Sequence, residues 1–189
     1  HALNFGQGAL GARDKIYEET DILFEVRRIS RAMDVYRELF PKIPKWHRDI
    51  RLQADAAGYL RNAYGYIYRF SHVFAWKQKN GIWDRVPGDD AEAVLAFLPQ
   101  SNAAGIMKSA LLRLYFEYFE GAGQYMRLTV HDEILGECPE EKQEQVDAVL
   151  KMVMETPLNE LPLPESYNMG SHLSILSEPK TGQSWGKMR

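Results

Sequence analysis

Leu128-Thr129-Val130-His131-Asp132-Glu133-Ile134-Leu135 is the stretch on which the reading of this chain turns. Residues 125–130 alternate, with Met126, Leu128 and Val130 set against Tyr125, Arg127 and Thr129, which predicts a half-buried strand. Residues 134–138 supply a return strand, and the His131-Asp132-Glu133 triplet falls at the turn. Neighbouring side chains of a straight strand point to opposite faces. A hairpin tip provides the bend that lets Asp132 and Glu133 converge on one ion. Carboxylates held there are hard oxygen ligands, suited to magnesium or manganese. A magnesium site that also binds substrate phosphates needs only one or two of them. Acids at a hairpin tip are commonly just solvated, and a histidine beside them is commonly a hydrogen-bonding neighbour, so the triplet takes its meaning from its surroundings.

The 189 residues fit one domain or a large piece of one. Hydrophobic content of 45% and charge of 26% are ordinary for a soluble globular chain. No apolar run is long enough to span a bilayer, and no membrane partner is expected. Cys138 is the sole cysteine, so no internal disulfide forms and an intracellular, reducing location is expected. A net charge of −3 gives no bulk signal for nucleic acid; a binder must concentrate Lys and Arg on one face.

Outward from the hairpin, Gly121-Ala122-Gly123 ends a strong helix that opens at Gln100-Ser101-Asn102, after a short helix stopped by Pro99. Met107, Leu111, Leu114 and Tyr118 line its apolar face. After the hairpin, Pro139 starts a helix with the stripe Val146, Val149, Leu150 and Val153, stopped by Thr156-Pro157. The remaining tail is expected to be irregular, with Trp185 docked on the domain. Upstream, residues 15–40 read as one helix with Ala32, Val35, Tyr36 and Leu39 inward, and a second runs from Pro44 to about Ala57 with Trp46 and Ile50 inward. Residues 58–70 read as a tyrosine-rich hairpin, whose Arg61 and Arg69 can touch a nucleic-acid backbone. Residues 71–90 read as an excursion with a turn at Asn80-Gly81. Gly6, Gly8 and Gly11 match G-x-G-x-x-G, a dinucleotide fingerprint that requires a strand before it and a parallel βαβ unit after it.

Three stretches in order resemble family A DNA polymerases. They are Pro99-Gln100-Ser101-Asn102-Ala103-Ala104-Gly105-Ile106-Met107-Lys108, then Val130-His131-Asp132-Glu133, then Gly182-Gln183-Ser184-Trp185. His1-Ala2-Leu3-Asn4-Phe5-Gly6 resembles part of that family's fingers-helix motif. The resemblance covers nearly the whole chain. It implies an α+β fold: a helical fingers segment plus an antiparallel palm sheet with packed helices, the C-terminal part of a right-hand polymerase. Residues 1–57 would be the C-terminal part of the fingers. Residues 58–189 would be the palm portion, with a catalytic hairpin at 125–138.

The implied reaction is DNA-directed nucleotidyl transfer from a dNTP to a primer 3′ end, with two magnesium ions, or manganese, clamping the attacking and leaving oxygens. Asp132 resembles the palm aspartate that binds the catalytic metals, and Glu133 its supporting neighbour. His131 resembles the residue beside the primer end. Gln100 resembles the glutamine that reads minor-groove acceptors, which are nearly alike for all base pairs. His1, Phe5 and Gly6 fall in the nucleotide pocket. In the preferred register His1 stands where the family has lysine and Ala9 where it has tyrosine; in the other, Phe5-Gly6 takes the Tyr-Gly position. Ala96 and Glu92 also depart, from Asn and Arg respectively. The family's second metal aspartate matches nothing here and is expected from an N-terminal polymerase portion outside this chain. The implied partners are primer-template DNA, dNTP and that portion, and the implied setting is the cytoplasm of a bacterium or phage-infected host. Two alternatives stand beside this: a nucleotide-cofactor oxidoreductase built on Gly6, Gly8 and Gly11, and a non-catalytic nucleic-acid-binding relic of a polymerase.

Overall fold

The structure is a computed structural model that describes residues 6–118 and 125–187. Two compact units are present, His1–Ser101 and Asn102–Arg189. The fold is α+β, with every described strand pairing antiparallel in a two-stranded ladder. The expected palm sheet is thus built of separate ladders. None of the described helices is long and apolar enough to cross a membrane.

In the first unit, α1 (Ala9–Thr20) and α2 (Val26–Leu39) replace the single helix expected over 15–40. Asp21 breaks it: its φ of +56° is left-handed, and its N–H donates to the Tyr17 carbonyl at 2.8 Å, closing α1. The inward face of α2 also differs from the expected stripe. Met33 is its buried residue, whereas Val35 and Leu39 are exposed. Helix α3 (Lys42–Ala57) carries Pro44 in its first turn, where a missing N–H costs nothing. It buries Ile50 and Ala54 and half-buries Trp46.

The tyrosine-rich hairpin is β1 (Tyr59–Arg61) paired with β2 (Ile67–Arg69). Its turn is organised by Asn62, whose buried side-chain oxygen accepts from the backbone N–H groups of Tyr64 at 3.0 Å and Tyr66 at 2.9 Å. The excursion over 71–90 is a second hairpin, β3 (Phe74–Lys79) with β4 (Ile82–Pro87). Asn80 and Gly81 both have positive φ, the conformation a two-residue type I′ turn demands.

The first core joins Ile50 and Ala54 of α3, Leu60 of β1, Phe70, Val73, and Val94 and Leu95 of α4 (Ala91–Arg113). Helix α4 runs through Pro99, where a stop was expected, and the boundary between the two units falls within it. An interior proline costs about 3 kcal/mol. Burial of Val94 and Leu95 before it, and of Ile106, Met107 and Ala110 after it, offsets that cost.

Asp90 fixes the start of α4. Its carboxylate accepts from the N–H groups of Ser71 and His72, both at 2.8 Å. These bonds hold its carboxyl below the usual aspartate range. A carboxyl depressed in the folded state contributes stability above its unfolded pKa and loses it as pH falls through the folded value. Acid unfolding of the wild type below about pH 4 is therefore expected to be shallower in Asp90→Asn, read as thermal midpoint against pH.

In the second unit, α4 ends in a π-helical turn, Leu114–Tyr118. The catalytic-hairpin candidate is β5 (Met126–Val130) with β6 (Glu133–Gly136). Helix α5 (Gln143–Glu155) follows a 3-10 turn at Glu140–Lys142. Ala110, Leu114, Val146 and Val153 form the second core. Arg113 donates to the Val153 carbonyl at 3.5 Å and to Thr156 Oγ1 at 3.3 Å, serving the C-terminal end of α5. The tail is not wholly irregular: β7 (Leu158–Pro162) pairs with β8 (His172–Leu173). Trp185 is not docked but 55% exposed. Gly121-Ala122-Gly123 lies outside the described residues.

Candidate active-site hairpin

Strands β5 and β6 are joined by the shortest loop a hairpin allows. Val130 pairs with Glu133, leaving His131 and Asp132 as the only connecting residues. His131 takes a φ of +54°, a left-handed conformation in which Asn, Asp and His are enriched among residues with a side chain. His131, Asp132 and Glu133 thus come together at one exposed tip. Among the described residues, no ion pair or hydrogen bond engages either carboxylate. The nearby Arg127 is committed to Glu137, at 3.1 Å.

The strands are not regular. Met126 opposes Gly136, and Leu128 opposes Leu135, so Arg127 is the extra residue of a β-bulge. This overturns the simple alternation. Met126 packs on the second core with Ile134, whereas Leu128 is 42% exposed. The hairpin is seated by Tyr125, Met126, Ile134 and Cys138 against the core formed by the end of α4 and by α5. Burial, with the charges of Asp147 and Glu141, pushes the Cys138 thiol up, away from the nucleophilic thiolate form.

Gly136 sets how closely the strands approach. A Cβ there would stand 2.6 Å from the Tyr125 carbonyl oxygen, which also accepts the Glu137 N–H at 2.8 Å. The obstacle is backbone and cannot swing aside. Gly136→Ala is expected to cost about 1–3 kcal/mol of stability, measured as a shift in urea midpoint.

The other expected site residues divide by unit. In the first unit, Arg61 opposes Ile67 and Arg69 opposes Tyr59, so both arginines share one face of the β1–β2 hairpin. Both are exposed, and no described residue pairs with them. Gln100 is exposed on α4, one residue after Pro99. His1 and Phe5 lie outside the described residues. Gly6 is described, with a φ of +80°; a Cβ there would meet Leu95 Cδ1 at 2.7 Å and Arg51 Nη2 at 3.0 Å.

Gly6 borders a cavity of about 330 Å³. Arg37, His47, Arg48 and Arg51 line it together with apolar side chains including Met33 and Phe74, and among the described residues no carboxylate lines it. Arg51 is half-buried and donates to the Ala91 carbonyl at 3.0 Å. Burial lowers its pKa, against the opposing charge of Glu92. The sequence reading assigned these helices no chemistry. The available signal was the basic face of α3, where His47, Arg48 and Arg51 fall within one turn. The glycine fingerprint finds no parallel βαβ unit among the described residues.

Asp132 and Glu133 suit a hard divalent cation in donor type and in being uncommitted. No cluster of three acidic, histidine or cysteine ligands occurs among the described residues. The hairpin therefore fits as one edge of a metal site, not as a closed cage.

A family model described as DNA polymerase family A matches residues 8–187. The chain is similar to the thermostable DNA polymerase I of Thermus filiformis, at 30% identity over 81% of this chain and 17% of that protein. It is similar to DNA polymerase I of Deinococcus radiodurans, at 31% over 74% of this chain and 14% of that protein. The DNA polymerase of Mycobacterium phage D29 is 26% identical over 74% of this chain and 20% of its own length. Among solved structures, the fold resembles the POL domain of Pol1 from M. smegmatis, in complex with DNA primer-template and dNTP. That likeness has a TM-score of 0.64 and 24% identity, over 86% of this chain and 26% of that one. The chain thus spans about a sixth of the first two curated relatives.

Proposed function

The chain belongs to DNA polymerase family A, and from that premise we propose that it forms the C-terminal fingers and palm part of a DNA-directed DNA polymerase. Residues 1–57 belong to the fingers in this reading and residues 58–189 to the palm. The observation that carries it is the uncommitted, exposed carboxylate pair at the hairpin end, Asp132 in the two-residue loop and Glu133 at the first position of β6, inside a chain matched to the family from residue 8 to 187.

Asp132 supplies one carboxylate to the catalytic metals and Glu133 supports it. His131 stands beside the primer end. Arg61 and Arg69 hold the DNA backbone from one strand face, and Gln100 probes the minor groove. His1, Phe5 and Gly6 belong to the nucleotide pocket, and the basic lining beside Gly6, formed by Arg37, Arg48 and Arg51, favours an anionic occupant. Bound magnesium, or manganese, would supply charge neutralisation at the phosphate oxygens. The chain's own contribution is position: a tip held by packed strands presents its carboxylates with little freedom to reorganise. A second carboxylate comes from an N-terminal polymerase portion. Primer-template DNA and dNTP are the proposed substrates, in an intracellular setting.

Primer extension by the chain joined to its upstream polymerase portion tests this, with Asp132→Asn as the decisive variant. Undiminished extension by that variant sinks the assignment. A wild type that binds primer-template without extending it makes the chain a relic instead.

A further inference from the structure

The seam between α2 and α3 is not filled by apolar side chains alone. Met33, Tyr36 and Arg37 share one face of α2, and His47, Arg48 and Arg51 share one face of α3, each set joined by i,i+3 and i,i+4 spacings. These two faces, with Gly6 and Phe74, line the cavity of about 330 Å³. Helices that pack together usually close such a gap with interdigitating side chains. Here three guanidinium groups and an imidazole face the gap, and among the described residues no carboxylate does.

The three arginines are committed to different degrees. Arg51 is half-buried, and its Nε donates to the Ala91 carbonyl at 3.0 Å. Among the described residues no ion pair engages it; Glu92 acts on it through charge alone, without a hydrogen bond. A Cβ on Gly6 would stand 3.0 Å from Arg51 Nη2, so the bare backbone there leaves room for the guanidinium. A charge withdrawn from water without a counter-ion is costly, and an anion beside it removes the cost. Arg48 shares Asp49 with Lys45, which holds that carboxylate more closely, at 2.9 Å against 3.3 Å. Arg37 pairs with Asp34 at 2.8 Å. Both pairs are solvent-exposed, a kind that contributes little, so a multiply charged anion in the cavity can recruit either arginine.

We propose that this cavity is a binding site for the phosphate of a nucleotide, with Arg51 as its central contact and Arg48 and Arg37 closing on the same anion. Guanidinium groups hold phosphate oxygens through paired N–H donors, and such charge-assisted bonds are the strong ones. The volume exceeds what a bare phosphate fills, and Met33, Tyr36 and Phe74 offer apolar and aromatic surface to an attached nucleoside. A free nucleotide and one nucleotide of a DNA strand present the same chemistry. The choice of phosphate over carboxylate rests on the reading that the chain works on nucleotides and DNA. None of the three arginines falls in the stretches that resemble the polymerase family, so the site belongs to this chain's own α2 and α3.

The test uses isothermal titration calorimetry of the 189-residue chain in EDTA, so that a metal at Asp132 contributes nothing. The probes are dATP, pyrophosphate, deoxyadenosine and citrate, with fluorescence anisotropy of a labelled oligothymidylate beside them. Pyrophosphate is expected to bind, dATP to bind more tightly, and deoxyadenosine to bind about tenfold or more below dATP. Arg51→Gln is expected to weaken dATP by about tenfold or more. Arg37→Ala/Arg48→Ala is expected to weaken it by a similar factor. Both of those positions are exposed, so that variant keeps the fold and decides the matter should Arg51→Gln unfold. A phosphate supplied by a strand gives the same losses for oligothymidylate in place of dATP. Unchanged affinity of both variants for dATP, pyrophosphate and oligothymidylate overturns the proposal, as does a wild type that binds none of them. Where dATP binds, equal binding of citrate or deoxyadenosine also overturns it. The polymerase reading is judged separately, by extension with Asp132→Asn. A chain that binds dATP through Arg51 yet extends no primer keeps this site and loses that reading; one that extends normally while both arginine variants bind as wild type keeps that reading and loses this site.

Discussion

Asp132→Asn is expected to reduce primer extension by about a thousandfold or more, while primer-template binding stays within about threefold of wild type. The substitution keeps the size and shape of the side chain and removes only its charge. Asp132 sits at an exposed tip and makes no ion pair or hydrogen bond among the described residues, so no structural interaction is lost with the charge. Exposed substitutions free of such partners change stability by about 0.5 kcal/mol or less. The loss therefore reads chemistry and not folding. Glu133→Gln is the internal comparison. Glu133 pairs with Val130 inside the ladder, and a supporting acid should give the smaller loss. Rapid-quench extension with magnesium, beside anisotropy with labelled primer-template, separates the two readouts. A variant that extends as fast as wild type removes Asp132 from the site.

Leu114→Ala is expected to destabilise the second unit by about 2–5 kcal/mol. Leu114 is fully buried, at the point where α4 passes into its π-helical turn. It packs with Ala110 and with Val146 and Val153 of α5, and Met126 and Ile134 of the hairpin rest on the same cluster. Truncation opens a cavity beneath the strands that carry Asp132. Urea unfolding followed by circular dichroism measures the loss, with Leu112→Ala as control, because Leu112 is 58% exposed. Extension by Leu114→Ala should also fall, although Leu114 touches no substrate. Equal midpoints for the two variants would show that this cluster does not hold the hairpin.

Local rules reached the elements whose signals lie within a few residues. The β5–β6 hairpin followed from alternation and its acidic turn, α5 from its stripe after Pro139, and α3 from Pro44 at its start. The hairpin at residues 58–70 followed from tyrosines flanking a turn. Elements decided by distant contacts were not legible. Pro99 signals a stop, yet packing on both sides carries α4 through it. The break at Asp21 depends on one left-handed residue in a polar run that otherwise reads as helix. The bulge at Arg127 moved Leu128 to the exposed side, which no periodic pattern foretells. The β3–β4 hairpin was the avoidable miss, since Phe74, Trp76 and Gln78 alternate toward an Asn-Gly turn. For the site, residue types pointed to Asp132, Glu133 and His131. The basic lining beside Gly6 required the fold, because Arg37 belongs to α2 and Arg51 to α3.

The connection between Val130 and Glu133 leaves no slack for a change of length. Most surface loops absorb an inserted residue at small entropic cost. Here one added residue would slide β6 by a step and turn each of its side chains to the opposite face. Ile134 would leave the core it fills, and the acid at the tip would swing away from wherever it now aims. Variation between related chains at this point should therefore take the form of exchanged side chains, with the residue count of the turn held constant.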